Sequence, residues 1–198
     1  CLEVIKVKQP KFFILENVKG LLFDNKGKTW GKMQDELKKL KEYEVTWKVL
    51  NTKDFGIPQT RQRIYIVGVT SASKGKSPFQ WPHKIKLNKN IFDYIDTTTT
   101  DEFIPSKKRS ENIRRNKDVA FLELNHTSFG NAKQSTKYSP CLVAVNSLYC
   151  VPMKRFAKCS ELMELQGFPK DFIQVVSNTQ MKKQLGNSMT VNVVKEII

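Results

Sequence analysis

The sequence is poor in the residues that build metal sites and disulfide frameworks. Its 198 residues include four cysteines and two histidines; no two cysteines form a C-x-x-C pair, and His83 and His126 lie far apart. We therefore expect no metal site, because zinc ligands come in closely spaced pairs. Cysteines without a disulfide pattern are typical of a reducing compartment.

Long apolar runs and a signal peptide are also missing from the sequence. No run approaches the roughly 20 apolar residues that span a bilayer, and the first residues do not resemble a secretory leader. We expect a protein without a membrane partner, which is cytoplasmic and nucleoid-associated in a bacterium or nuclear in a eukaryote.

Acidic residues are scarce relative to basic ones. The 19 Asp and Glu stand against 34 Lys and Arg, which gives a formal charge of +15. Such an excess favours a polyanionic partner, since lysine and arginine displace counterions from a phosphate backbone. The alternative is that many lysines only solvate helix faces.

Hydrophobic residues make up 39% of the sequence and include 12 Phe, which is enough for a folded core.

The first 70 residues show an α/β pattern. An apolar run at 12–15 ends at Glu16 and is typical of a strand buried on both faces of a parallel sheet. Thr29 can cap a helix with one apolar stripe. Alternation at 44–50 and a second apolar run at 64–67 predict two more strands. This order predicts part of a doubly wound sheet.

Polar residues dominate from about residue 71 to residue 137. This composition predicts a separate, irregular module whose internal structure the sequence does not assign. Beyond it, Ser160 can cap a short helix that Gly167 ends, and a last helix is expected to start around Asn187.

A motif rich in arginine precedes the predicted strand at 64–67. Alternate residues of an extended chain point the same way, so Gln59, Arg61 and Arg63 are expected to share a face. Two guanidiniums aimed together repel each other unless an anion, such as a phosphate or a carboxylate, lies between them. A surface strand with basic decoration is the alternative.

Two further motifs suit a binding site, although each alone also fits an ordinary turn or helix cap. Glu16 follows an apolar run, and functional groups of doubly wound sheets gather at the carboxyl ends of strands. Gly186 allows close approach of the backbone to a ligand, and Asn187 and Ser188 offer polar groups beside it.

Taken together and in order, these motifs resemble the cytosine carbon-5 DNA methyltransferase family. The resemblance covers nearly all of the chain except about 71–137, a stretch that differs between family members. Ser139-Pro140-Cys141-Leu142 is similar to a Ser-Pro-Thr-Leu stretch of the family, with Cys141 in place of Thr. The motifs that carry the resemblance are Glu16-Asn17-Val18, Gln59-x-Arg61-x-Arg63, Leu165-Gln166-Gly167-Phe168-Pro169 and Gly186-Asn187-Ser188.

The resemblance implies a fold and a division into domains. We expect the C-terminal part of a doubly wound, Rossmann-like α/β methyltransferase sheet, together with a small, irregular, β-rich target-recognition module. Residues 1–70 would belong to the catalytic domain, 71–165 to the recognition module, and 166–198 would return to the catalytic domain with a terminal helix.

The resemblance also implies a reaction and the residues that serve it. A methyl group would pass from S-adenosylmethionine to carbon 5 of a flipped cytosine in double-stranded DNA. Glu16 would act as the acid at ring nitrogen 3, Arg63 would reach the cytosine O2, and Arg61 would hold a phosphate or the carboxylate network. Asn187 and Ser188 would contact the cofactor.

Basic and polar residues outside this centre are candidates for contact with the DNA backbone. A solvated loop is the alternative for the basic stretch 107–115. The candidates are Gln59, Lys107, Lys108, Arg109, Arg114, Arg115 and Arg155.

Two hallmarks of the family are absent from this sequence. They are the cofactor loop Phe-x-Gly-x-Gly and the Pro-Cys-Gln motif with the nucleophilic cysteine, and both would lie upstream of Leu2. We therefore expect a C-terminal fragment or subunit that is inactive alone and needs the missing N-terminal half as its partner. A non-catalytic nucleic-acid-binding chain and a relative that methylates transfer RNA are the alternatives.

Overall fold

The computed structural model describes residues 1–71, 78–98, 102–103, 105–124, 134–145 and 148–198. The chain forms two compact units. The first comprises Cys1–Asn51 and Gln62–His83, and the second comprises Thr52–Arg61 and Lys84–Ile198. These units do not follow the predicted boundaries 1–70, 71–165 and 166–198. Segment 52–61 falls within the predicted domain 1–70, but it belongs to the second unit. The assignment of catalytic and recognition domains stays a prediction.

The first unit is built on a three-stranded sheet. Its strands are β1 (Phe12–Val18), β2 (Tyr43–Asn51) and β3 (Gln62–Thr70), in the order β1-β3-β2 with both pairings antiparallel. β1 and β2 therefore run in the same direction, and β3 runs against both. The expectation of parallel pairing is wrong for β3, because segment 52–61 is shorter than the roughly dozen residues that a parallel crossover needs.

The described part of the first unit has two α-helices, α1 (Leu2–Lys8) and α2 (Lys28–Lys38), and two short 3-10 helices, Lys19–Leu22 and Asp24–Gly27. α2 is preceded by Gly27 at a φ of 82°, in place of the predicted cap Thr29, whose hydroxyl donates to Asp24. Apolar side chains of both helices and of the sheet form one core: Ile5, Phe13, Trp30, Leu37, Leu40, Ile64 and Ile66.

The second unit holds, in its described residues, a smaller antiparallel sheet, four α-helices and two short 3-10 helices, Thr52–Asp54 and Ile91–Tyr94. The strands are β4 (Phe121–Glu123), β5 (Leu148–Cys150) and β6 (Arg155–Phe156), in the order β4-β5-β6. The helices are α3 (Lys107–Arg115), α4 (Cys159–Leu165), α5 (Asn178–Asn187) and α6 (Val191–Ile197). None of the helices in the described ranges has the length and apolar character needed to cross a membrane.

The helices of the second unit correct several local predictions. The basic stretch 107–115 is helical rather than a loop, because Glu111 forms ion pairs with Arg114 and Arg115 one turn away. Ser160 lies inside α4, whose first turn is capped by the Glu161 carboxylate accepting from the Lys158 N–H at 2.7 Å.

The predicted last helix corresponds to α6, which starts at Val191 rather than around Asn187, and a helix that was not predicted, α5, precedes it. α5 ends at Asn187, and Thr190 stands before the first residue of α6. Asn187 and Ser188 therefore lie at the carboxyl end of a helix and not at a helix start. Gly167 does follow the end of α4 as predicted, with a φ of 80°.

Candidate active site

A carboxylate and a guanidinium lie side by side on the sheet of the first unit. Oε1 of Glu16 on β1 is 3.0 Å from Nε of Arg63 on β3, and the two side chains are 16% and 13% exposed. Tyr65 is the direct cross-strand partner of Glu16, so Arg63 is the diagonal neighbour two residues away on the same face. Glu16 stands within β1, which continues to Val18, rather than after the strand as the sequence predicted.

The Glu16 carboxylate keeps bonding capacity despite this neighbour. Its Oε1 is buried and accepts no directed hydrogen bond from any residue that the structure describes. Arg63 compensates the charge, and it also donates from Nη1 to the Gln62 carbonyl at 2.9 Å. A carboxyl held in this way can accept a hydrogen bond or, when protonated, donate one to a ligand.

Arg61 is buried in the second unit and binds main-chain carbonyls. The residue is 3% exposed; Nη1 donates to Leu142 O at 2.6 Å, and Nη2 donates to Ser188 O at 2.7 Å and Gly186 O at 3.2 Å. These carbonyl oxygens stand in place of the predicted phosphate or carboxylate. Arg61 also precedes β3, so the strand alternation assumed from the sequence does not extend to it.

Gln59 is fully buried next to this arginine. Its amide donates to Leu165 O at 2.7 Å, and its Oε1 accepts from the Leu142 N–H at 3.2 Å. A side chain with these partners holds two segments of the second unit together. It does not present a polar group to DNA, so Gln59 is left out of the proposed DNA contacts.

Gln166 connects the end of α4 to the turn between α5 and α6. Its Nε2 donates to Leu185 O at 2.6 Å, and its Oε1 accepts from the Thr190 hydroxyl at 3.0 Å. The Thr190 hydroxyl also lies 2.9 Å from that of Thr52. We call Gln59, Arg61, Gln166 and Thr190 the buried polar cluster. Its side chains donate to the carbonyls of Leu185, Gly186 and Ser188, on either side of Asn187.

Two motif glycines are required by close contacts. A Cβ on Gly186 would lie 2.2 Å from the carbonyl carbon of Val143, and a Cβ on Gly167 would lie 2.4 Å from Oδ1 of Asn192. A side chain at position 186 would need the backbone to move, whereas one at position 167 would need the Asn192 side chain to shift and would be strained by the φ of 80°. Both glycines therefore allow the segments of the buried polar cluster to approach one another.

Asn187 and Ser188 occupy the turn that this cluster supports. The Asn187 side chain is exposed, whereas Ser188 is half-buried and its hydroxyl donates to Leu185 O at 2.9 Å. The geometry leaves the Asn187 amide accessible to a ligand.

The basic residues of α3 differ in availability. Nη2 of Arg114 and Nε of Arg115 both lie 3.0 Å from Oε1 of Glu111, so their charge is partly compensated on the helix itself. Lys107 is exposed and Arg109 is partly buried. The side chain of Lys108 lies outside the described part of the structure.

Arg155 is turned into the second unit. It is 4% exposed, and its guanidinium donates to both carboxylate oxygens of Glu161, at 2.9 and 2.7 Å, and to Asp96 O at 2.6 Å. The bond to Glu161 raises the pKa of Arg155 above its ordinary value. Arg155 thus fixes β6 against α4, and it too is left out of the proposed DNA contacts.

Comparison with known proteins identifies the family. Residues 1–198 match the family described as C-5 cytosine-specific DNA methylase. The chain belongs to this family.

Named relatives of this methylase chain are bacterial type II methyltransferases. M.HaeII of Haemophilus aegyptius is 36% identical, and M.NgoBI of Neisseria gonorrhoeae is 34% identical, each over 201 residues. Both alignments cover 98% of this chain and 61% of the relative, so the chain spans about three fifths of their length. A solved E. coli prophage protein, described as a DNA modification methyltransferase, shares the fold with a TM-score of 0.71. That protein is 18% identical, and the match covers 99% of this chain and 70% of that one.

Within this methylase chain the structure groups the predicted residues by unit. Glu16 and Arg63 come together in the first unit, and Gln59, Arg61 and Ser188 come together in the second. The sequence motifs included neither Thr190 nor the carbonyl of Leu142. Every residue has a main-chain carbonyl, so no sequence pattern marks the one at Leu142 as the acceptor of Arg61. The described residues contain no group of three or more His, Cys, Asp or Glu that could hold a metal ion.

Proposed function

We propose that this chain is the C-terminal part of a DNA (cytosine-5-)-methyltransferase. In the assembled enzyme a methyl group passes to carbon 5 of a flipped cytosine in double-stranded DNA. The observation that carries the proposal is the Glu16–Arg63 pair, because it sets an acid and a cation on one face, as the family's reaction requires. The nucleophilic cysteine comes from the N-terminal half of the enzyme, which is the proposed partner of this chain.

Glu16 has a chemical task in this reaction. Carbon 5 of cytosine becomes nucleophilic only when a thiolate adds to carbon 6, and that addition places negative charge on the ring. A carboxyl at ring nitrogen 3 supplies a proton or a strong hydrogen bond to this charge. Oε1 of Glu16 has the capacity for such a bond, since no residue of the described structure directs a hydrogen bond to it.

Arg63 assists in two ways. Its Nε holds the Glu16 carboxyl in place at 3.0 Å, and the family resemblance assigns the guanidinium to the cytosine O2. A preorganised donor is most effective where charge develops during the reaction. The base reaches these groups only after it leaves the duplex, which costs a few kcal/mol.

The proposed cofactor is S-adenosylmethionine, which supplies the methyl group on a sulfonium. Asn187 and Ser188 are the residues of this chain that we assign to it. The exposed Asn187 amide fits a polar cofactor group. The Ser188 hydroxyl donates to Leu185 O and accepts from Gln166 Nε2 at 3.2 Å, which leaves one lone pair for a ligand. Most cofactor contacts belong to the N-terminal half, which carries the family's glycine loop.

The proposed DNA contacts of the second unit are on α3. The exposed Lys107 is the best-placed of them, and Lys108, Arg109, Arg114 and Arg115 stay candidates. Glu111 weakens the case for Arg114 and Arg115, because both donate to it.

A methyl-transfer assay tests the proposal. Labelled S-adenosylmethionine and cytosine-containing duplex DNA are incubated with this chain alone, and then with this chain plus the N-terminal half. We expect transfer only in the mixture. No transfer from a mixture whose two components are folded and bound to each other would leave a non-catalytic DNA-binding chain. Preferred transfer to transfer RNA in a competition assay would replace DNA as the substrate.

A further inference from the structure

A lysine-lined cleft lies at the end of the first unit's sheet that is remote from Glu16. Its volume is 1140 Å³. It is lined by residues before β1, by the segment that leads into β2 together with the first residue of β2, and by the last residue of β3 with its successor. Glu16 is four residues along β1 from Phe12, which corresponds to about 13 Å at roughly 3.3 Å per residue. The lining residues are Ile5, Lys6, Gln9, Lys11, Lys39, Leu40, Lys41, Glu42, Tyr43, Thr70 and Ser71.

The charge of this lysine cleft is unbalanced. Four of its lining residues are lysines, and Glu42 is the one carboxylate among them. Lys11 and Lys41 are exposed and form no ion pair with any residue that the structure describes. Lys6 and Lys39 pair with Glu3 and Glu36 on the surface of their own helices, and exposed pairs of this kind are weak. Ammonium groups gathered around one cavity repel each other, so the lysine cleft favours an anion.

The apolar part of the lining argues against an acidic protein as that anion. Ile5 and Leu40 are buried in the core, and stable protein interfaces need exposed apolar or aromatic anchors. Gln9 and Ser71 add exposed polar side chains, which suit phosphate oxygens.

Tyr43 argues against single-stranded nucleic acid. Binding of single strands relies on aromatic platforms on which the bases stack. The Tyr43 ring packs 5.2 Å from that of Phe13, and its hydroxyl donates to Pro10 O at 2.7 Å, so this aromatic ring is part of the fold.

We propose that the lysine cleft binds the phosphodiester backbone of duplex DNA outside the flipped-base site and independently of base sequence. The choice of DNA rests on the proposed function, in which DNA is the polyanion that the chain meets. Lys11 and Lys41 carry the binding, because neither ammonium group forms an ion pair with a described carboxylate.

The test measures binding of the full chain to a labelled duplex of oligo(dA) and oligo(dT) by fluorescence anisotropy over a series of salt concentrations. This duplex lacks cytosine, so binding does not depend on base flipping or methyl transfer. Each lost phosphate contact lowers the slope of log K against log salt by about 0.9, so Lys11→Gln/Lys41→Gln should lower it by about 1.8. We also expect roughly three- to tenfold weaker binding at moderate salt.

The matched control is Lys32→Gln/Lys48→Gln. These lysines are exposed in the same unit, on α2 and β2, form no ion pair with a described residue and lie outside the cleft. The control should keep the wild-type slope, and circular dichroism melting should show all variants folded. Equal slopes for both double variants would overturn the proposal, as would displacement of the duplex by polyglutamate at the same charge concentration. Because this duplex contains no cytosine, the comparison of slopes is decided separately from the proposed catalytic role of Glu16.

Discussion

Nε of Arg63 lies 3.0 Å from Oε1 of Glu16, across the pairing of two antiparallel strands. Backbone hydrogen bonds of β1 and β3 hold both residues, so little freedom is left for either side chain to swing away. The pair is thus preorganised, which is the condition for donors and acids that act on developing charge.

Replacement of the carboxyl tests its chemical role. In the assembled enzyme, Glu16→Gln should lower kcat by about 10²- to 10⁴-fold, because the amide cannot supply a proton to the ring. DNA affinity should stay nearly unchanged. Steady-state methyl transfer and anisotropy binding measure the two quantities. Glu44→Gln, at an exposed carboxyl of the same sheet, is the control and should keep full activity; equal activity of both variants would rule out the acid role.

Removal of the cation tests the coupling of the pair. Arg63→Met leaves the mostly buried Glu16 carboxylate without its cation and should lower the free energy of unfolding by about 2–3 kcal/mol. The double variant Glu16→Gln/Arg63→Met should lose less than the sum of the two single variants, because neither buried charge then remains. Urea unfolding of the four proteins gives this cycle. Additive losses would mean that the two groups do not interact energetically.

The contacts of Arg61 with three main-chain carbonyls predict the effect of a substitution on the stability of the second unit. Arg61→Lys keeps the charge but loses the planar fork that reaches three carbonyls, so unfolding should become easier by about 2–4 kcal/mol. Hydrogen exchange should speed up at Gly186 to Thr190. Arg114→Lys on the surface of α3 is the control, with an expected change within about 0.5 kcal/mol. Similar losses in both variants would contradict the assigned role.

Two glycines should respond in opposite directions to the same substitution. Gly186→Ala places a Cβ 2.2 Å from the Val143 carbonyl carbon and should destabilise the second unit by about 3 kcal/mol. A Cβ on Gly31, inside α2, meets nothing within 4 Å, so Gly31→Ala should stabilise the helix by about 0.5–1 kcal/mol. Thermal melting of both variants measures the difference. A neutral Gly186→Ala would show that the contact relaxes freely.

A buried thiol predicts a change of stability at alkaline pH. Burial raises the pKa of Cys150 from 9.0 to about 11. Between pH 9.0 and about 11 the folded chain keeps the proton of the Cys150 thiol, whereas the unfolded chain releases it. The contribution of this thiol to the free energy of unfolding is therefore complete below pH 9.0 and is lost as the pH rises towards 11. Comparison of urea unfolding between the wild type and Cys150→Ala over this range isolates the contribution. Parallel pH curves for the two proteins would assign the loss to other groups.

The sequence by itself determined the family and the strands of the first unit. Apolar runs and alternation depend on neighbours along the chain, and they place β1, β2 and β3 to within a few residues. The motifs around Glu16, Gln59 and Gly186 are also local, so they are visible without a structure.

Only the tertiary structure decided what Arg61, Gln59 and Arg155 do. All three are polar and were predicted to face an anion or DNA, but each is buried and bonds to at least one main-chain group from a distant part of the sequence. The direction of β3 was likewise a tertiary decision, set by the short segment 52–61. Local patterns record which residues are apolar or charged, whereas burial and carbonyl contacts arise only when distant segments pack together.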